Sequence, residues 1–120
     1  MKLEIKSIRS FVGAKDFDTS RSFYRDLGLE EKPITEDLSL FQQDEFGFYL
    51  QRYYVEDWVN NTVLFIVVSD IKKCFEQIKQ LEPDKKYPGV KIKPIKKDTW
   101  GEECFIIDPS GVLLHFAQFY

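Results

Sequence analysis

The chain has 120 residues, of which 43% are hydrophobic, 31% charged and 16% aromatic, and its formal net charge is −3. This composition predicts one soluble globular domain, long enough to bury a core without a disulfide or a structural metal. The acidic balance argues against nucleic acid as a partner, and no run approaches the roughly 18 apolar residues of a membrane span.

The first ten residues and the two cysteines predict where the protein is located and whether its thiols are reduced. The first ten residues, "MKLEIKSIRS", lack the apolar core of a signal peptide. Cys74 and Cys104 have neither a CxxC spacing nor a histidine nearby in sequence. We therefore expect a cytoplasmic protein with reduced thiols that binds neither membranes nor nucleic acid.

The first half begins with an extended segment that ends at Asp16. Asp18 or Thr19 is a good N-cap, and the apolar spacing after it predicts a helix over about 18–27. Gly28 follows as the left-handed residue that ends the helix. Short apolar runs then predict strands at about 29–34, 38–43 and 46–53, the last two joined by a turn near Asp44 and Glu45.

The second half repeats this order. The β-branched run "VLFIVV" predicts a strand, and Ile71, Phe75, Ile78 and Leu81 form one apolar stripe of a helix over about 70–81. Pro83 marks the end of that helix. Strands follow at about 90–96, 102–107 and 112–119, and the last two are joined by "DPSG", a turn signal.

The repeat predicts the fold class. Each half reads strand–helix–strand–strand–strand, so the chain is a single domain, 1–120, made of two repeats of about 1–57 and 58–120. We predict an α+β fold in which two βαβββ modules form curved mixed or antiparallel sheets around a cleft, with helices on the outer face. Since a sheet covered by helices on one side leaves the other side open, the cleft needs a sister module, a second chain or a ligand to cover it.

Motifs in both halves carry a family resemblance. "AKDFDTSRSFYRDLGLE" at 14–30 and "WGEECFIIDPSGVLLHF" at 100–116, with "NTVLFIVVSDI" at 61–71, resemble the vicinal oxygen chelate superfamily, which includes glyoxalase I, extradiol dioxygenases and bleomycin resistance proteins. The resemblance covers nearly the whole chain. It implies the paired-module fold, and it leaves the chemistry open because this fold hosts many functions.

Catalytic branches of the superfamily hold a divalent metal at four strand positions, which the resemblance places at Arg9, Tyr49, Leu64 and His115. A metal site of that kind needs carboxylates and imidazoles. Arginine repels a cation, leucine has no lone pair, and one imidazole alone does not hold a metal. We therefore predict no metal and no cofactor at this site.

His115 is the only histidine of the chain. Strand alternation places it on one face with Leu113, Ala117 and Phe119, and the resemblance assigns that face to the cleft. A packed histidine with one hydrogen bond, a ligand-contacting histidine and a catalytic base remain open. The last is the weakest, because no serine or cysteine nucleophile with a matching partner is evident.

The bleomycin resistance branch is the most similar. Its members share the tryptophan–glycine, aspartate–proline and histidine–phenylalanine pairs that stand here at 100–101, 108–109 and 115–116. Those proteins are not enzymes; they sequester a flat, cationic glycopeptide in clefts shared by two subunits and stack its rings on a tryptophan. The resemblance implies ligand-binding residues at the following positions: Trp100, His115, Tyr49, Phe41, Arg9 and Trp58.

The expected function is therefore metal-free binding of a flat, partly aromatic small molecule, such as a bleomycin-type antibiotic, by a homodimer. The alternative is a metal-dependent lyase, isomerase or dioxygenase of the same superfamily with an atypical site. Two features depart from the drug-binding pattern. The segment 85–97 carries six lysines and no acid, and an inward Arg9 would favour an anionic or carbonyl-bearing ligand.

Overall fold

A computed structural model describes all residues, 1–120. In chain order its elements are β1 (Phe11–Gly13), α1 (Phe17–Asp26), β2 (Glu30–Thr35), β3 (Leu38–Gln43), β4 (Phe46–Gln51), α2 (Glu56–Asn60), β5 (Val63–Val67), α3 (Ile71–Leu81), α4 (Pro83–Lys86), β6 (Lys91–Lys97), β7 (Gly101–Ile107) and β8 (Leu113–Phe119). The predicted order of elements is confirmed, and two short helices, α2 and α4, are additional to it.

The strands form two four-stranded sheets of identical topology. Sheet A has the order β1-β4-β3-β2, and sheet B has the order β5-β8-β7-β6. In each sheet the first strand of the module pairs in parallel with the last, and the other pairs are antiparallel. The predicted α+β fold of two βαβββ modules with mixed sheets is thus confirmed.

The two long helices begin and end through local chemistry. Asp16, not Asp18 or Thr19, is the N-cap of α1, and its carboxylate accepts a hydrogen bond from the backbone N–H of Thr19. Gly28 follows the C-cap with φ +95°, the left-handed conformation predicted for it. Asp70 caps α3 in the same way through the N–H of Lys73.

Strand alternation gives each sheet two different faces. On one face, which we call the helix side, residues such as Val12, Phe48 and Leu50 pack with α1, and Ile106 and Leu114 pack with α3, in one core cluster drawn from both modules. The opposite face of each sheet, which we call the free face, has no helix over it. The core therefore lies between sheets and helices, and both free faces remain open in the single chain.

One buried hydrogen-bonded joint connects the modules. The Tyr24 hydroxyl on α1 donates to Oδ2 of Asp108, 2.6 Å away, in the β7–β8 turn. Oδ1 of Asp108 accepts from the backbone N–H groups of Ser110, Gly111 and Val112. Burial raises the pKa of the Asp108 carboxyl above its ordinary value, although these hydrogen bonds oppose the shift. The "DPSG" turn is thereby anchored to the other module.

A second polar cluster lies between α1 and sheet A. The Glu31 side chain is 7% exposed and pairs with Arg21 and Arg25, each at 2.6 Å, while Ser39 donates to it at 2.7 Å. Burial disfavours ionisation of Glu31, but hydrogen bonds from Arg21, Ser39 and Arg25 outweigh that effect and hold the pKa of its carboxyl below the ordinary value.

We predict that this cluster contributes to acid sensitivity. Because the pKa of Glu31 is lowered on folding, its contribution is complete above the unfolded-state value of about 4.3 and is lost as pH falls through the folded value. Glu31→Gln should lower the free energy of unfolding at pH 7 by about 1–2 kcal/mol and flatten its decline in acid. Urea unfolding across pH checks this, with the exposed Glu36→Gln as control. Equal acid slopes for wild type and Glu31→Gln would exclude the assigned role.

The lysine-rich segment forms the edge strand β6, as its alternating lysines and proline predict. The pairing register shifts between Lys93 and Lys96, around Pro94. Lys91 and Lys93 pair with Ile107 and Phe105, so they lie on the free face of sheet B. No helix is both long and apolar enough to cross a membrane.

Candidate ligand-binding faces

The free face of sheet B is apolar and open. A row of register partners crosses it from Phe65 on β5 to His115 on β8 and Phe105 on β7. Phe65 is 49% exposed and its neighbour on that face, Val67, is 58% exposed. A strand of a folded single chain normally buries such residues. Their exposure is typical of a surface that binds a ligand or another chain.

Trp100 lies at the entrance of β7 and completes an aromatic cluster on this face. Its ring centroid is 5.2 Å from that of Phe119, 6.3 Å from that of Phe65 and 6.2 Å from that of His115. The rings are tilted or edge-on to each other, so they form walls at several angles rather than one stack. We refer to Phe65, Trp100, His115 and Phe119 as the Trp100 cluster.

Gly101 holds Trp100 against β8. A Cβ at this position would lie 2.2 Å from the carbonyl oxygen of Gln118, so only glycine allows the two backbones to approach this closely. The backbone N–H of Tyr120 donates to the Trp100 carbonyl across the same junction. Gly101 therefore accommodates the neighbouring strand, which places the indole over the free face.

His115 has a partner that the sequence reading missed. Its Nε2 lies 2.7 Å from Oε2 of Glu103, a carboxylate on β7 whose side chain is 8% exposed. The ring packs edge-on to Phe65, with centroids 4.6 Å apart, and tilted to Phe105 at 4.5 Å. Two aromatic rings and a carboxylate thus fix the imidazole. The arrangement can supply one oriented polar contact to a ligand on this face.

The free face of sheet A carries a different set of groups. Tyr49 on β4 is the register partner of Phe11 on β1, and their rings stack with centroids 5.3 Å apart. Arg9 precedes β1 and its Nη1 donates to the Tyr49 hydroxyl at 3.1 Å. The Arg9 Nε is screened from water and has no hydrogen-bond partner, a state that costs about 1–3 kcal/mol.

Trp58 lies beside this set. It is 65% exposed and tilted against Tyr53, with ring centroids 6.0 Å apart. Together with Phe11, Gly13 and Gln51, these two rings line a cavity of about 140 Å³ at the edge of sheet A. Phe11 therefore contributes both to the cavity and to the stack on Tyr49.

The six predicted site residues separate into three places. Trp100 and His115 lie on the free face of sheet B. Arg9, Tyr49 and Trp58 lie on or beside the free face of sheet A, and no stacked or edge-on ring pair joins the two groups. Phe41 lies in neither group. It is fully buried on the helix side against Tyr24 and Phe48, because strand alternation turns Leu40, its neighbour, toward the free face.

One of the four strand positions that the resemblance assigned to a metal site, Leu64, does not lie on the free face. Leu64 pairs with Leu114 on the helix side, and the residue beside His115 on the free face is Phe65. The position that the resemblance assigned to Leu64 therefore belongs to Phe65, one residue further along β5, and an aromatic ring rather than leucine stands there. No three His, Cys, Asp or Glu side chains lie close enough together to hold a metal ion. Arg9 and Tyr49 also belong to no cluster of histidine or carboxylate side chains that could bind a metal ion.

A larger cavity of about 390 Å³ lies on the helix side, between α3 and the edge strand β6. Phe75 and Ile92 form its apolar part, and charged residues including Lys79, Glu82 and Lys85 surround them. It contains none of the six predicted ligand-binding residues, and it provides a competing location for a ligand.

No family model matches the sequence, and no curated protein matches it. Solved structures do. A bleomycin resistance determinant encoded on transposon Tn5 superposes with a TM-score of 0.81 at 17% identity, covering 96% of this chain and 98% of the other. The bleomycin-binding protein of Streptomyces verticillus, in complex with copper(II)-bleomycin, superposes with a TM-score of 0.80 at 19% identity, covering 99% and 100%.

An enzyme has a similar fold. Lactoylglutathione lyase from Agrobacterium tumefaciens superposes with a TM-score of 0.71 at 17% identity, covering 97% of this chain and 96% of the lyase. At these identities the likeness concerns architecture, since binding proteins and a lyase share it. The chain therefore has the fold of two βαβββ modules that its motifs predict, and it shares this fold with these bleomycin-binding proteins and with the lyase.

Proposed function

We propose that the protein binds a flat, partly aromatic small molecule without a metal and does not transform it. The observation that carries the proposal is the Trp100 cluster. Its rings lie on an open sheet face with an oriented imidazole among them. Stacking on such rings contributes about 0.5–1.5 kcal/mol beyond the burial of area.

The structural neighbours support the same class of function. One was solved with copper(II)-bleomycin bound, and another is an antibiotic-binding protein from a Streptomyces species with a TM-score of 0.78. Since their identity to this chain is below 20%, the ligand need not be the same. A bleomycin-type antibiotic is one member of the panel that should be tested.

We propose further that two copies of the chain form the complete site. Each free face offers one wall: the Trp100 cluster on sheet B, and Phe11 with Tyr49 on sheet A. In one chain these walls remain separate. A second copy that places its sheet A opposite sheet B would enclose a cleft between them, and closed two-fold dimers are the commonest assembly.

The N-terminal segment favours a second copy as well. Residues 1–10 form no helix or strand, and Leu3, Ile5 and Ile8 are exposed there. Leu3 and Ile5 alternate with charged residues, the pattern of a half-buried strand. Apolar side chains at such positions normally pack against another surface.

The dimer can be tested by light scattering. We expect the mass in solution to be twice the 14.2 kDa of one chain. Val67→Lys places a charge on the free face of sheet B and should shift the mass toward one chain, whereas Leu81→Lys, on α3, should leave it unchanged. A wild-type protein with the mass of one chain at micromolar concentration would contradict the proposal.

The binding function itself is tested by a thermal-shift panel of planar aromatic compounds, bleomycin-type antibiotics and divalent cations. A ligand at 100 times its dissociation constant should stabilise the fold by about 2.7 kcal/mol. We expect stabilisation by aromatic compounds and not by cations, and elemental analysis should find no stoichiometric metal. Stabilisation by a divalent ion, lost on His115→Ala, would favour the metal-dependent alternative.

A further inference from the structure

The arginines of this chain differ in their partners. Arg21 and Arg25 pair with Glu31, and Arg52 pairs with Asp37. Arg9 has no carboxylate within ion-pair distance; its only side-chain hydrogen bond is the one to the Tyr49 hydroxyl. Its Nε is screened from water without an acceptor. Arg9 is therefore the arginine for which the chain itself supplies no carboxylate partner and only one side-chain hydrogen bond.

The surroundings of Arg9 define where an acceptor would sit. Arg9 and Phe11 are two residues apart and both contact Tyr49, so they lie on the same free face, whereas Val12, next to Phe11, points into the core. The Arg9 guanidinium carbon lies 5.7 Å from the centroid of the Tyr49 ring. As the Tyr49 hydroxyl accepts from Arg9, its own proton remains free to be donated. The pair thus presents several donors beside two stacked rings.

Unpaired positive charges lie near the free face of sheet B, where the buried carboxylate of Glu103 is already paired with His115. Lys91, Lys93 and Lys96 lie along the border of sheet B, in register with Ile107, Phe105 and Glu103. None of these lysines has a carboxylate within ion-pair distance, whereas other lysines of the chain do. Unpaired cations around an apolar face attract anions to it.

We propose that the ligand carries an anionic oxygen group, a carboxylate or sulfonate on an aromatic ring, and that Arg9 and Tyr49 bind this group. A guanidinium fork matches such a group in geometry and charge, and the oxyanion supplies the acceptor that Arg9 lacks. This inference rests on the proposed binding function and specifies its ligand class. It makes Arg9 the residue that selects anionic over neutral and cationic aromatic compounds.

The test compares four probes that share one ring system: naphthalene-2-carboxylate, naphthalene-2-sulfonate, naphthalene-2-carboxamide and 2-naphthylmethylammonium. Calorimetric titration of the full chain should show the two anions binding about tenfold or more tightly than the amide, and the ammonium binding most weakly. Arg9→Gln should remove this preference without weakening the amide. Tyr49→Phe should reduce it by less.

Lys72→Gln is the control, since it removes the same charge from the exposed side of α3 and should leave the preference intact. A purely structural role of Arg9 would weaken all probes alike in Arg9→Gln, and that result would overturn the inference. Equal binding of anions and amide by wild type, with both lost in Trp100→Ala, would overturn it while leaving the proposed function standing. Failure of every probe at millimolar concentration would count against both.

Discussion

Replacing Trp100 with alanine is expected to weaken binding of an aromatic ligand by about 2 kcal/mol or more, as for a central aromatic hot spot. The indole is half-buried and contacts Phe65, Phe119 and His115 on the free face of sheet B. It is not part of the core cluster between sheets and helices. Its removal should therefore take away one aromatic surface of the ligand site and leave the fold intact.

The measurement is calorimetric titration with naphthalene-2-carboxamide, whose neutral polar group makes its binding independent of the Arg9 inference. Phe75→Ala is the matched control. It truncates another half-buried aromatic, one that lines the cavity between α3 and β6. Loss of affinity in Phe75→Ala together with unchanged affinity in Trp100→Ala would place the ligand in that cavity and exclude the Trp100 cluster.

The largest effect on stability is expected for Asp108→Ala. The carboxylate of Asp108 is almost completely buried and accepts from Tyr24 and from three backbone N–H groups of its own turn. Leaving buried donors without acceptors costs about 1–3 kcal/mol for each group that water cannot reach. We expect the free energy of unfolding to fall by about 3 kcal/mol or more.

Urea unfolding measures this loss. Tyr24→Phe removes one of the four hydrogen bonds and should cost about 1–2 kcal/mol, while Asp84→Ala, at an exposed position on α4, should cost little. Because Asp108 joins the turn of one module to the helix of the other, Asp108→Ala should lower the stability of both modules together. A loss below that of Tyr24→Phe would show that the turn does not depend on this carboxylate.

Much of the fold was predictable because its signals are local. Apolar spacing located α1 and α3, and Gly28 and the "DPSG" turn marked ends that depend on one or two residues. The N-cap of α1 was wrong by two or three residues because three nearby candidates, Asp16, Asp18 and Thr19, can each accept a helix N–H. The one-turn helices α2 and α4 have no amphipathic period from which to predict them.

The candidate site was less predictable because it depends on which face of a strand is covered. Leu40 and Phe41 are adjacent apolar residues, and alternation alone does not tell which of them points to the helices. The same ambiguity misassigned Leu64 in place of Phe65. Glu103 could have been found, since folding β7 and β8 about the "DPSG" turn pairs Phe105 with His115 and brings the residue two positions away within reach of the imidazole.

Amide chemical-shift mapping shows directly whether the free face of sheet B binds the ligand. On titration with naphthalene-2-carboxamide we expect the shifted amides to concentrate at Trp100 and in β5, β7 and β8, around Phe65 and His115. The amides of the exposed side of α3 should not move. Shifts confined to the surroundings of Phe75 and Ile92 would place the ligand on the helix side and exclude binding at the free face of sheet B.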